Sequence, residues 1–266
     1  MQNSSEGFAD YLYSSGEYEL ASLEYLRIVH SNGGDTMACP GSAMKLARCW
    51  QELERSADAM ALYRYVRVHS AEADLRAGCM MGEASILEET GELQPARELF
   101  ALAAAEAEDP DISARAEILS SLMYARMGYW SEAADELNGI SAGRGSYGDL
   151  SARLAATVSR GTSLSRRSPL LCGISSSLLP GSGQMICGHY TDGFIALAVN
   201  GAMGWLFYES LQEENTTTSV LIGWLGMSFY GGNILGGIRA AETYNSARRR
   251  ELLEEVTEIL SERDFR

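Results

Sequence analysis

The stretch Gly128-Tyr129-Trp130-Ser131-Glu132-Ala133-Ala134-Asp135-Glu136-Leu137 decides the fold. A glycine stands two residues before an aromatic, an alanine follows three residues later, a large apolar residue four after that, and Ile140 three beyond. Steps of three and four return to one face of an α-helix. The glycine closes the preceding helix, because it enters the left-handed region without steric cost. The alanine marks a place where two helices come too close for a larger side chain.

Three further stretches match this template. Upstream lie Gly91, Leu93, Ala96, Phe100 and Ala103; then Glu54, Ser56, Ala59, Tyr63 and Val66; then Gly16, Tyr18, Ala21, Tyr25 and Ile28. The anchor alanines at 21, 59, 96 and 133 are spaced by 38, 37 and 37 residues. The second unit departs at Glu54 and Ser56, where the others carry glycine and an aromatic or aliphatic residue, yet its spacing holds. The helix before each unit shows a matching apolar pair: Phe8 and Leu12, Leu46 and Trp50, Ala84 and Leu87, Leu122 and Tyr124. These alanines and aromatics read as core residues rather than a binding box.

The pattern resembles the tetratricopeptide repeat (TPR) family, whose usual period of about 34 residues is slightly shorter. The resemblance implies an all-α fold: a solenoid of about four helix pairs over residues 1–141, whose concave face takes a peptide or partner protein. A solenoid needs a cap on its last apolar face. Residues 149–160 carry Leu150, Leu154 and Val158 at helical spacing and supply a candidate capping helix inside a Gly/Ser-rich linker, 142–167.

Charge is unevenly distributed. Residues 1–150 hold 25 acidic and 11 basic side chains, a net of −14, and the remainder hold 11 and 10, a net of −1. An acidic repeat domain repels nucleic acid, whose binding relies on basic patches. The five cysteines, at 39, 49, 79, 172 and 187, form no Cys-x-x-Cys and do not cluster with the three histidines, so zinc-ligand spacing is missing. Their odd number argues against a disulfide framework, and Cys49 and Cys79 read as small core residues. No Walker loop, His-Glu-x-x-His, nucleophile elbow or dinucleotide-binding glycine motif is present. The expectation is no catalytic residues, no metal, no cofactor and no enzymatic activity.

From Ser168 the composition changes. Residues 168–191, 193–208 and 215–238 carry no Asp, Glu, Lys or Arg. A bilayer core requires about 20 apolar helical residues, and the expected membrane module, 168–240, contains spans at 193–211 and 217–238. The first run is too short: Leu170–Leu179 gives about 15 Å of helix before Pro180 breaks it and Gly181 and Gly183 follow. Residues 169–188 therefore read as a re-entrant segment, with Gln184 placed to satisfy its backbone. Asn200 and Asn233 are amides within the two spans, and Asn200 is expected to pair with Asn233 or with the glycine-rich turn. Gly232-x-x-x-Gly236-x-x-x-Ala240 lines one helix face with small residues, a route to homo-oligomers.

Arg166 and Arg167 precede the first run, and Arg239 and Arg248–Arg250 follow the third, whereas the loop between the spans is acidic. With a re-entrant first segment both basic flanks share one side, and the positive-inside rule then places the repeats in the cytoplasm. The opening residues 1–6 lack a signal peptide as written; a leader lost upstream of Met1 would instead place the repeats in the periplasm. Residues 241–266 carry Leu252, Leu253, Val256, Ile259 and Leu260 on one face, an amphipathic helix that docks on the repeats or lies on the membrane.

The motif Pro180-Gly181-x-Gly183-Gln184-x-x-x-Gly188-x-x-x-x-Gly193, followed by Gly232-Asn233 and Tyr244-Asn245, resembles a small bacterial membrane module that often follows TPR repeats. It is also similar to the two-span TM2 hairpin, although Cys187 stands where that hairpin commonly has an aromatic. Relatives of the first kind often carry a secretion signal, so the resemblance favours the periplasm where charge favours the cytoplasm. It implies a multi-pass protein of the bacterial inner membrane. The functional expectation is a membrane-anchored scaffold whose repeats recruit a protein partner; the alternative is a membrane-protein assembly or insertion factor that uses the glycine-rich hairpin.

Overall fold

A computed structural model describes residues 2–31, 36–141, 145–213 and 215–262, with side chains from Glu6 onward except those of 141, 145 and 146. Residues 142–144 of the expected linker, Glu214 of the acidic loop and residues 263–266 of the last segment lie outside the described residues. The described chain is all-helical, with no strand among those residues. It divides into two compact units, Met1–Thr162 with Glu255–Arg266, and Ser163–Glu254.

The first unit contains α1 (Gln2–Ser14), α2 (Tyr18–Ser31), α3 (Pro40–Glu52), α4 (Ser56–His69), α5 (Ala73–Glu89), α6 (Leu93–Glu106), α7 (Pro110–Met127), α8 (Trp130–Ser141) and α9 (Gly145–Ser159). Each helix packs on the next, and α3, α5, α7 and α9 also meet every second helix along the chain. The periodicity of the sequence reappears as burial. Ala21, Ala59, Ala96 and Ala133 are fully buried, and Tyr25, Tyr63, Phe100 and Leu137 fill the space four residues on. Full burial of such an aromatic contributes on the order of 2–3 kcal/mol.

Local signals explain where helices begin and end. Asp109 caps α7 by accepting from the Asp111 N–H at 2.7 Å, with Pro110 in the first turn. Gly16, Gly91 and Gly128 adopt φ of +79°, +85° and +92° between consecutive helices. Glu54 adopts the same left-handed conformation at φ +59°, alone among non-glycine residues of the described chain. The irregular second unit thus makes the turn of the others, with a side chain where they have none.

Two expectations shift. Phe8 is 51% exposed, and Ala9 takes the core position beside Leu12, because the close approach of α1 and α2 admits only a small residue. The capping helix is longer than the 149–160 segment and packs on α7 and α8, with Leu150, Leu154 and Val158 buried.

The second unit contains α10 (Pro169–Leu178), the five-residue α11 (Ser182–Ile186), α12 (Tyr190–Gln212) and most of α13 (Thr216–Ser261). Among the described residues one helix, α12, is long and apolar enough to cross a membrane. The expected second span, 217–238, falls short of that apolarity: Gly223, Gly226, Ser228, Gly231, Gly232, Asn233, Gly236 and Gly237 dilute its aliphatic residues. The expected separate helix at 241–266 is instead the continuation of α13, since nothing from Ala240 to Ser261 breaks it. Its last part, from Glu255, belongs to the first unit, where Glu255 pairs with Arg160 at 2.6 Å and Glu262 with Arg153 at 2.8 Å.

Candidate functional site

The first candidate is a groove of about 560 Å³ in the first unit, walled mainly by α3, α5 and α7. Lys45, Arg48 and Arg115 bring positive charge to it, and Glu52, Asp74, Glu88 and Glu89 negative charge. Tyr63, Phe100 and Met81 supply apolar floor. Several of these charges are committed to the scaffold. Lys45 pairs with Asp10 at 2.8 Å, Glu88 with Arg126 at 2.9 Å, and Asp74 accepts from the N–H groups of Glu108 and Asp109 at 2.8 and 2.9 Å. Gln51 donates to Ser85 at 3.0 Å and Glu89 at 2.9 Å, tying α3 to α5 across the floor. Burial pushes the Glu88 carboxyl up, against the pull of Arg126. The groove could not be read from sequence, because its lining is spread over helices whose common face depends on how each pair stacks.

Behind the groove wall, Glu83 is buried at 1% exposure and is answered by Arg67 at 2.6 Å and Arg64 at 3.2 Å. A buried carboxylate persists only when paired in this way. No signal in the sequence singles it out from the other acids.

The second candidate is the junction around Pro180-Gly181-Ser182-Gly183-Gln184. Helix α10 starts at Ser168, whose hydroxyl accepts from the Leu171 N–H at 3.3 Å, with Pro169 in the first turn. It stops at Leu179, Pro180 follows, and Gly181 turns at φ +87° to start α11. The turn leaves polar backbone groups buried, and side chains from α10, α11 and α13 satisfy them. Asn233 Oδ1 accepts from the Gly181 N–H at 2.8 Å, and its Nδ2 donates to the Ser176 carbonyl at 2.8 Å. Gln184 Nε2 donates to the Asn233 carbonyl at 3.2 Å, while its Oε1 accepts from the Ser176 hydroxyl at 3.1 Å. The Gly183 N–H donates to the same Ser176 oxygen at 3.0 Å. Ser175 and Ser182 meet at 2.6 Å.

The glycines of the motif make room for this network. A Cβ on Gly181 would run into the Gly193 carbonyl, one on Gly183 into the Cys172 carbonyl, and one on Gly236 would stand 2.7 Å from Gln184 Nε2. Gly188 turns the chain out of α11 at φ +87°. Gly236 and the buried Ala240 are thus occupied within the unit, and Gly232 alone of the three small residues faces open space.

The expected pairing of Asn200 with Asn233 or with the glycine-rich turn does not form; it is Asn233 that reaches the turn. Asn200 does not take part: its side chain donates to the Ala196 carbonyl of its own helix at 2.8 Å. Ser176 escaped the sequence reading, although the run Ser175-Ser176-Ser177 in an otherwise apolar helix was a visible signal.

At the junction's other end, Asn245 Oδ1 accepts from the Arg167 N–H and its Nδ2 donates to the Arg167 carbonyl, both at 2.8 Å. The guanidinium groups of Arg167 and Arg248 lie 5.4 and 5.7 Å from the Tyr244 ring centre. The hydrogen bond from Arg248 holds the Tyr244 hydroxyl below its ordinary pKa. Ser210 and Ser219 meet at 3.0 Å where α12 gives way to α13. His189 approaches Asp192 at 3.5 Å on the surface.

The junction fastens helices together and offers no nucleophile with a base, and the described residues contain no cluster of three or more His, Cys, Asp or Glu able to hold a metal. Comparison of the chain with known proteins returns no matching family, no matching curated protein and no matching solved structure.

Proposed function

We propose that the chain is a membrane-anchored scaffold, in which a TPR-like helix stack recruits a protein or peptide partner and the Ser163–Glu254 unit resides in a lipid bilayer. The observation that carries the membrane half is the inversion of burial in α12. Of its 23 residues only Gly193 and Ser210 are buried, while Phe194, Ile195, Trp205, Leu206 and Phe207 lie exposed. Apolar patches of this extent mark a membrane or a partner. On α13, Val220, Leu221, Trp224 and Met227 continue the exposed surface, supporting a second crossing packed on α12. The gathering of Arg166, Arg167 and Arg248 at one end supports both basic flanks on a single side of the bilayer, with the α10–α11 segment entering and leaving from that side.

The recruiting half rests on the repeat spacing, the buried alanines and the mixed-charge groove between α3, α5 and α7. The insertion-factor alternative draws less support from the glycine-rich turn, because its polar groups bond to one another.

Carbonate extraction of membranes from the expressing cell tests the anchor: the full-length chain is expected in the pellet, and release into the supernatant would count against it. For the groove, a photoreactive residue in place of Gln51 or Ser85 is expected to label one common protein, and the same probe at the exposed Leu102 is not. Identical labelling from all three positions would remove the groove from the argument.

A further inference from the structure

The five cysteines look scattered in the sequence, but the fold brings two of them into contact. The sulfurs of Cys172, in α10, and Cys187, just after α11, lie 3.7 Å apart. They are fifteen residues apart in the chain and share a buried cluster with Ala240 and Ala241, against which the half-buried Tyr244 packs. We propose that Cys172 and Cys187 are a disulfide-forming pair that covalently staples α10 to the end of α11.

Three features support this. The 3.7 Å separation of the sulfurs leaves a short approach to a disulfide bond of about 2.05 Å. The backbones are already close: a Cβ on Gly183 would collide with the Cys172 carbonyl, so α10 and α11 touch where the bridge would form. That approach is held in place independently by the Ser176, Gln184 and Asn233 hydrogen bonds. The pair is thus presented to itself by a rigid frame rather than by a mobile loop. By contrast Cys49 and Cys79 belong to separate core clusters of the first unit.

The chemistry is thiol–disulfide exchange. A thiolate from one cysteine attacks a small-molecule or protein disulfide, expelling one thiol and forming a mixed disulfide. The second cysteine, as thiolate, attacks the first sulfur and expels the other thiol. Two protons and two electrons leave the pair, and the donor disulfide ends as two thiols. Cys187, at 6% exposure against 2% for Cys172, is the more accessible point of first attack. Once formed, the bridge lies under Tyr244 and Ala241, shielded from reductant.

The proposal does not depend on the membrane reading, because it concerns contacts within one unit. The test uses the full-length chain in detergent micelles, reduced and then exposed to oxidised glutathione, either native or unfolded in urea. Free thiols are then blocked by maleimide under denaturing conditions and the digest is read by mass spectrometry. The expected result is a cross-link joining the peptides of Cys172 and Cys187, three blocked thiols, and a native yield at least about tenfold above that of the unfolded chain, since the fold raises the effective concentration of one thiol at the other. Cys187→Ser is expected to abolish the cross-link; because wild-type protein carries the main comparison, a poorly folding variant leaves the test intact. Five blocked thiols in the native sample, a native yield no higher than the unfolded one, or pairing of either residue with a different cysteine would overturn the proposal.

Discussion

Asn245 grips the peptide of Arg167 from both sides, accepting from its N–H and donating to its carbonyl across 78 residues of chain. A side-chain amide here does what a neighbouring strand would do, and it sets the start of α10 against α13. Asn245→Ala removes both bonds and is expected to cost about 1–2 kcal/mol, since each such bond contributes about 0.5–1.5 kcal/mol. Limited trypsin digestion of the full-length protein should then cut at Arg166 and Arg167 faster than in wild type. Equal rates would show that the clamp does not order this segment. Asn245→Asp keeps the acceptor and loses the donor, and is expected to fall between the two.

The amides of Asn200 and Asn233 should behave differently. Asn233→Leu strands the Gly181 N–H and the Ser176 carbonyl in a buried site, and an unsatisfied buried group costs about 1–3 kcal/mol. A loss of about 2–4 kcal/mol is expected. Asn200→Leu gives up one bond to a carbonyl that its own helix already uses and is expected to change stability by less than about 0.5 kcal/mol. Thermal unfolding in detergent, followed by circular dichroism, distinguishes them; similar shifts for both would contradict the network.

Glu54 holds a conformation that glycine adopts at the equivalent turns. Left-handed backbone costs a side-chain-bearing residue about 1 kcal/mol. Glycine also gives the unfolded chain more freedom, which offsets part of the gain. Glu54→Gly is therefore expected to stabilise the first unit by about 0.5 kcal/mol, and Gly128→Ala to destabilise it by about 1 kcal/mol. Urea midpoints provide the comparison. A loss of stability in Glu54→Gly would mean that the carboxylate makes a compensating interaction.

Burial pushes the thiols of Cys49 and Cys79 up to about 12 each, with Glu83 adding to the rise at Cys79. In the unfolded chain a thiol ionises near 8.5. Folding thus favours the protonated form, so the contribution is complete below about pH 8.5 and is lost as pH rises through 12. The urea midpoint is expected to fall between pH 9 and 11, and Cys49→Ala with Cys79→Ala to flatten that fall. A midpoint constant over this range would contradict the burial of both groups.

The first unit was largely legible from its sequence because its signals are local. Gly91, Ala96 and Phe100 sit within ten residues, and a helix converts that spacing directly into a buried face. Even Glu54 did not hide its turn, since the alanine at 59 kept the register. The second unit was legible in composition but not in its pairings. Asn200 and Asn233 look equivalent as letters, each an amide in an apolar run. Only the rotation of α12 and α13 about their axes decides which of them faces Gly181, and no local pattern encodes that rotation. Phe8 shows the same limit at small scale, because one residue of helical phase separates it from Ala9. The long α13 was missed as one element, since Arg239 and Arg248–Arg250 mark a polarity boundary, and polarity does not interrupt a helix.

The bonds from Asn233 to Gly181 and Ser176 carry a consequence for biosynthesis. The acceptor and donor on Asn233 leave the ribosome some fifty residues after the groups they satisfy. Until then the 180–184 turn has its own serines and Gln184 but no partner for the Gly181 N–H. The α10–α11 segment must therefore wait, hydrated or chaperoned, while α12 is made and α13 begins. Its docking is a late step in the order of synthesis, and a stall introduced between Leu211 and Asn233 would trap the chain with that turn open.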